Sequence, residues 1–477
     1  MLFTAGSFWL FFPAVLALLA ANRALLRSVP VQNAIILAAS YLFYGWWDWR
    51  FLGLIIASTL LDYGAAIAIS GSSTQAVRRR WLHLSVIGNL GILGYFKYFD
   101  FFGTELKTAL VAGGFNANWE TLDIILPIGI SFYTLQTISY TIDVYYGRFK
   151  AERNLLRYAA YVAFFPQLVA GPIERARALI PQFGRLAEFS WVNAYQGTCL
   201  IIAGLFLKVV VADNLAPEVD TIFASYATLR GGELLLGALY FSIQIYADFC
   251  GYSSIAIGVA AIMGFRLSTN FDTPFLTSSL SAFWRGWNIT LTLFFRDYVY
   301  ALLRKGNRTE SRIAMATIVT FLMSGLWHGA NWTFLVWGAA HGGLLLAERH
   351  WRMHTAVPQT RLASLAGWAC TFGATVLLAV FFRSPTMTVA TGFLTRIATE
   401  FALPQAHRTA LIYVGVSFLV DVLWRGRTRL DRGLNLAWLG SLSREVAETL
   451  LFALALIFVL VNVATRTETS AFIYFQF

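Results

Sequence analysis

The stretch MSGLWHGANWTFLVWGAAHG, residues 323–342, sets two histidines, His328 and His341, among tryptophans and glycines. The uncharged run around it is longer still, with no Asp, Glu, Lys or Arg from Ile313 to Ala347. His328 follows Arg312 by 16 residues and precedes Glu348 by 20. At ~1.5 Å of rise per residue these spacings correspond to about 24 Å and about 30 Å of straight helix. A bilayer's hydrocarbon core is ~30 Å thick, so the imidazole is expected within the membrane or at the floor of a cavity. The Gly-Ala-Asn that follows suits a break between two helical segments, which is tolerated at membrane depth where it lines a protein cavity.

The rest of the chain agrees with a membrane setting. Of 477 residues, 58% are hydrophobic and only 13% charged, against roughly 25% charged in a soluble protein. Uncharged runs recur at 1–22, 31–47, 81–96, 124–142, 158–173, 189–207, 249–265, 313–347, 362–382 and 449–465. A span needs about 20 mostly apolar residues. With runs interrupted by one charge, at Asp62 and Asp421, these runs predict about 11–13 membrane helices, some short or re-entrant. The expected class is an all-α polytopic membrane protein, one domain over 1–477: N-terminal spans to 120, core blocks over 121–350, then C-terminal spans and a tail.

The net charge of +11 does not call for nucleic acid, because the basic residues cluster in short loops between spans. Arg23 and Arg27, then Arg78–Arg80, then Arg148, Lys150, Arg153 and Arg157 fall on one side at intervals of two crossings. That side is expected to be cytoplasmic, as is 425–444, leaving both termini extracytoplasmic. Cys199, Cys250 and Cys370 lie singly in apolar runs, with neither disulfide-framework nor metal spacing. The first 22 residues lack a basic leader and read as a retained span.

A neutral imidazole in a dry cavity suits general-base work on a hydroxyl, and an ionisable residue at this depth is a functional candidate. A buried histidine bonded to a neighbouring helix is the structural alternative. It weighs more for His341, which would lie on nearly the opposite face were the segment one helix. No His/Cys/Asp/Glu cluster has metal-ligand spacing, so no metal site is expected. SAFWRGWNITLTLFFRDYVY, residues 281–300, is aromatic, basic and helical in period; Arg285 and Asn288 stand at i and i+3. FFPQLVAGPIER, residues 164–175, breaks an apolar run with Pro and Gly, as a re-entrant turn would. In LPIGISFYTLQTISYTIDVYYG, residues 126–147, the stripe Ser131, Thr134, Gln136 and Ser139 is expected to pack helices. Asp248 is an intramembrane carboxylate expected to pair with an arginine.

These blocks, with GLWHGANWTFLVWGAAHG and the terminal FIYFQF, resemble in their order the membrane-bound O-acyltransferase (MBOAT) family, and within it the bacterial alginate O-acetylation branch. The resemblance runs from about residue 126 to 477 and implies roughly a dozen helices around a central catalytic chamber. It implies His328 as the catalytic histidine and Asn288 as the second polar residue, at a position where alginate-type members usually carry histidine. Trp284, Arg285, Trp287, Trp327, Asn331 and His341 become candidate substrate-binding residues. The implied donor is cytoplasmic acetyl-CoA, with no permanently bound cofactor. The implied partners are an extracytoplasmic SGNH-type transferase and an exported polysaccharide, in a bacterial inner membrane. FIYFQF resembles the Phe-x-Tyr-x-x-Phe ending of related bacterial systems, which implies Tyr474 as an acyl relay; an interfacial aromatic anchor is the bland alternative.

Rival readings are a D-alanyl or lipid acyltransferase of the same family, and a transporter or flippase. Transporters often carry inverted repeats and paired broken helices, and no internal repeat is visible.

Overall fold

The computed structural model describes residues 1–117, 122, 124–306, 309–355, 360–428, 444–465 and 472–473. Among them every regular element is a helix. In hydrocarbon each unpaired backbone group costs several kcal/mol, and a helix satisfies its own. Five helical stretches are long and apolar enough to cross a bilayer: Gly6–Leu26, Val29–Gly71, Trp191–Ala224, Gly231–Ile262 and Arg361–Arg383. Leu411–Leu423 and Thr449–Thr465 are shorter apolar helices. The chain is thus an all-α multi-pass membrane protein. It forms two compact units, one of Met1–Thr198 with Ala256–Ser268, the other of Cys199–Ile255 with Thr269–Phe477.

In the first unit, helix Ile130–Tyr145 is buried along almost its whole length. Its polar stripe is buried against neighbouring helices: the Gln136 amide donates to the Tyr161 carbonyl at 3.1 Å, while the Ser139 hydroxyl bonds back to the Gln136 carbonyl of its own helix at 2.7 Å. Asp62, alone in an apolar run, accepts from Ser85, from the Asn89 amide at 2.8 Å and from the Thr141 hydroxyl at 3.1 Å. The run 158–173 is not one helix. It stops at Ala163, resumes for one turn over Phe165–Leu168, and then opens into coil. Pro166 falls in the first turn after the break, where its missing N–H costs nothing.

The second unit holds the site. Its long helix Gly231–Ile262 begins well before the apolar run that starts at residue 249. Asp248 sits mid-helix and meets Lys208, the cation standing where an arginine was expected, at 2.9 Å. The same ammonium reaches Asp213 at 2.8 Å. Helices Glu310–His328 and Trp332–His354 form an antiparallel hairpin around the break at Gly329–Asn331. A Cβ on Gly325 would lie 2.2 Å from the Phe334 carbonyl oxygen, and one on Gly338 would lie 2.2 Å from that of Phe321. Small residues let membrane helices approach to backbone contact. The far end of the hairpin is closed by Arg349 on Glu310 at 2.7 Å.

Gly325→Ala and Gly338→Ala are expected to destabilise the protein by about 1–3 kcal/mol each through overpacking. Thermal unfolding in detergent checks this. Gly343→Ala, where an added methyl meets nothing within 4 Å, is the neutral control.

Candidate functional site

Segment 279–294 is broken by its own hydrogen bonds. The helix Leu280–Gly286 starts at Ser279, whose hydroxyl accepts the Ala282 N–H at 3.2 Å. The Glu348 carboxylate, from the second hairpin helix, accepts the Leu280 N–H at 2.7 Å and the Ser281 hydroxyl at 2.8 Å. This ties the short helix to the hairpin. The chain then opens at Trp287 and Asn288 before helix Ile289–Phe294. Asn288 adopts a left-handed conformation, φ 41° and ψ 55°, which Asn tolerates better than most side chains. Asn270 holds the break open: its backbone carbonyl accepts the Ile289 N–H at 2.9 Å and its side-chain carbonyl the Thr290 hydroxyl at 2.6 Å.

The break turns Asn288 into a cavity of about 690 Å³. Asn288 is 1% exposed, and neither its amide nitrogen nor its amide oxygen has a hydrogen-bond partner among the described residues. His328, the last residue of its helix and 3% exposed, lines the same cavity. Thr317, Thr320 and Ser324 line it as well. Their spacing of three, four and four residues to His328 is one helical face, so this polar stripe was legible before the histidine.

Aromatic rings frame the imidazole. Trp337 stands edge-on to His328 with centroids 5.3 Å apart, and Phe382 at 5.0 Å. His328 also borders a second cavity of about 40 Å³, shared with Trp337, His341 and Trp287. Because the chain reverses at Gly329–Asn331, His341 does not face away as it would on one helix. Its ring centroid lies 4.9 Å from that of Trp337 and 5.1 Å from that of Trp284.

The sequence-derived set divides as follows. Asn288, His328, Trp284, Arg285 and Trp287 line the larger cavity, whereas His341 lines only the smaller one. Trp327 is buried against His328 at 4.9 Å but lines neither. Asn331 is committed to structure: its side-chain oxygen caps Thr333 N–H at 3.0 Å and its amide donates to the Pro385 carbonyl at 2.8 Å. Tyr474 lies outside the described residues.

Sequence reasoning did not single out Arg296, Arg349 and Arg352, which line the cavity with Arg285, all four exposed. Arg296 is paired with Asp297 at 2.8 Å, Arg349 with Glu310, and Arg352 with Glu348 at 3.0 Å. Arg285 has no carboxylate partner among the described residues. The cavity therefore runs from an exposed cationic rim to a buried floor with one imidazole and one unbonded amide. No group of three or more His, Cys, Asp or Glu placed to hold a metal occurs among the described residues.

The sequence model of the membrane-bound O-acyltransferase family matches residues 152–388, a stretch containing both Asn288 and His328. The chain is 41% identical over 397 residues to "Probable alginate O-acetylase AlgI" of Azotobacter vinelandii, covering 82% of this chain and 76% of the relative. It is 35% identical over 373 residues to "Peptidoglycan O-acetyltransferase" of Helicobacter pylori, covering 72% and 70%. It is 26% identical over 271 residues to "Teichoic acid D-alanyltransferase" of Bacillus subtilis, covering 52% and 67%. The protein is accordingly an O-acyltransferase, and it belongs to the membrane-bound O-acyltransferase family, in the branch of the alginate O-acetylases.

Proposed function

We propose that the protein takes an acetyl group from cytoplasmic acetyl-CoA at the arginine rim and delivers it, through His328, to a hydroxyl for O-acetylation of an exported or cell-surface polysaccharide. The observation that carries this reading is the shared cavity, with Asn288 and His328 at its buried floor and guanidinium groups at its mouth. Arg285 and its neighbours suit the phosphates of a CoA donor, since guanidinium forks match phosphate oxygens. The thioester end reaches the floor. His328 removes the acceptor's proton as its oxygen attacks the thioester carbonyl; the C–S bond breaks, a C–O bond forms, and the proton passes to the departing thiolate. The Asn288 N–H₂ positions the carbonyl and stabilises the charge that develops on its oxygen.

Alginate and peptidoglycan in the names of two relatives support a polysaccharide as final acceptor. In this reading Tyr474 is the first acceptor and passes the acetyl group to an SGNH-type transferase outside the inner membrane. The loop charges that put both termini on that side support it.

Incubation with acetyl-CoA followed by intact mass of the C-terminal peptide tests the relay. One acetyl group is expected on the wild type and none on Tyr474→Phe or His328→Ala. A Tyr474→Phe protein with full polysaccharide acetylation defeats the relay. His328→Ala is expected to lower turnover by about 10²–10⁴-fold, the usual range for a lost general base. For Asn288→Ala a loss of about 10²-fold is expected. Arg285→Gln is expected to raise the KM for acetyl-CoA severalfold with kcat nearly unchanged. Equal donor KM for wild type and variant at low salt removes Arg285 from the donor site.

A further inference from the structure

The buried charges on the second unit's helices lie outside the chemistry just described, and one of them holds Ile473. Asp248 is 2% exposed, Lys208 4% and Asp213 5%. Lys208 lies in the π-helical turn Phe206–Ala212. A widened turn of this kind closes between residues i and i+5, which is the separation of Lys208 and Asp213. The two carboxylates share one ammonium, at 2.8 Å and 2.9 Å. One oxygen of Asp248 faces Lys208; the other accepts the backbone N–H of Ile473 at 2.6 Å. A carboxylate that also meets an ammonium makes a stronger hydrogen bond to an amide than a neutral acceptor does.

Phe472 and Ile473 are 1% and 3% exposed. Phe472 packs on Tyr252 at 4.7 Å and on Phe249 at 6.0 Å. From Phe249 a continuous ring series leads to the site: Phe249 to Phe271 at 5.1 Å, and Phe271 to Trp287 at 5.4 Å. Trp287 lines the catalytic cavity beside Asn288.

We propose that Asp248, set by Lys208 and Asp213, is a positioning residue that captures the Ile473 amide and seats Phe472 and Ile473 against Tyr252 and Phe249, two ring contacts from Trp287 of the site. Tyr474 stands one peptide bond beyond the captured amide. Its presentation to the acyl donor rests on the relay reading above; the seating itself does not.

The test uses the full-length protein in lipid nanodiscs and two readouts. Hydrogen–deuterium exchange of the C-terminal peptide reads the seat. In the wild type the Ile473 amide is expected to exchange slowly, and in Asp248→Leu at least about tenfold faster, the scale of a lost charge-assisted bond. Should Asp248→Leu fail to fold, Ile473→Pro carries the test. It removes the donated N–H and leaves the three charged residues untouched. Ile473→Pro is expected to melt with the wild type yet lose at least about tenfold in acetyl transfer, while Ile473→Ala, which keeps the N–H, retains most of it. An Ile473 amide exchanging at the free-peptide rate in the wild type overturns the seat, and so does wild-type transfer by Ile473→Pro in a protein whose Tyr474→Phe variant has lost transfer. A fully active Tyr474→Phe with a slow Ile473 amide would instead sink the relay and leave the seat standing.

Discussion

Backbone contact between two helices governs the site. Gly325 and Gly338 admit the carbonyls of Phe334 and Phe321 to distances at which a methyl group has no room. Membrane helices gain little from burying apolar surface against one another, since lipid is equally apolar, so packing of this closeness is what holds them. Several parts of the site follow from it. His328 ends its helix against Trp337 of the partner helix. The returning helix brings Arg349 and Arg352 to the cavity that Thr317 and Thr320 line. It also supplies Glu348, which starts the short helix leading to Asn288. One hairpin thus sets the imidazole, part of the cationic rim and the anchor of the amide.

Charge inside the bilayer is managed by two different devices. Asp62 is surrounded by neutral donors, a serine, an asparagine and a threonine. Asp248 is matched with a lysine that it shares with Asp213. Removing one partner from such a buried group costs about 3–5 kcal/mol, because a charge is left uncompensated. Isolated ions at this depth mark functional places; here Asp248 holds the backbone amide of Ile473.

Burial of the histidine and rupture of its segment were readable from spacing alone, because a long uncharged run with Gly-Ala-Asn inside it admits few arrangements. The polar stripe of helix Ile130–Tyr145 was readable as packing for the same local reason. What depended on non-local pairing was not. The run starting at residue 249 hid a helix beginning at Gly231, since nothing near Asp248 in sequence announces Lys208. Asn331 looked like a ligand-binding amide and turned out to cap a helix. Arg349 and Arg352 carry no local signal in the sequence, and only the reversal of the hairpin brings them to the cavity.

Asn288 illustrates what such a site asks of its scaffold. A buried amide with both ends unbonded lowers stability by about 1–3 kcal/mol per unsatisfied group, and here it sits in a backbone conformation that favours few side chains. Selection for thermal robustness alone would drive this position toward an aliphatic residue in ordinary helix geometry. In the reading proposed above, the acyl donor supplies bonds that the described residues leave unmade at Asn288.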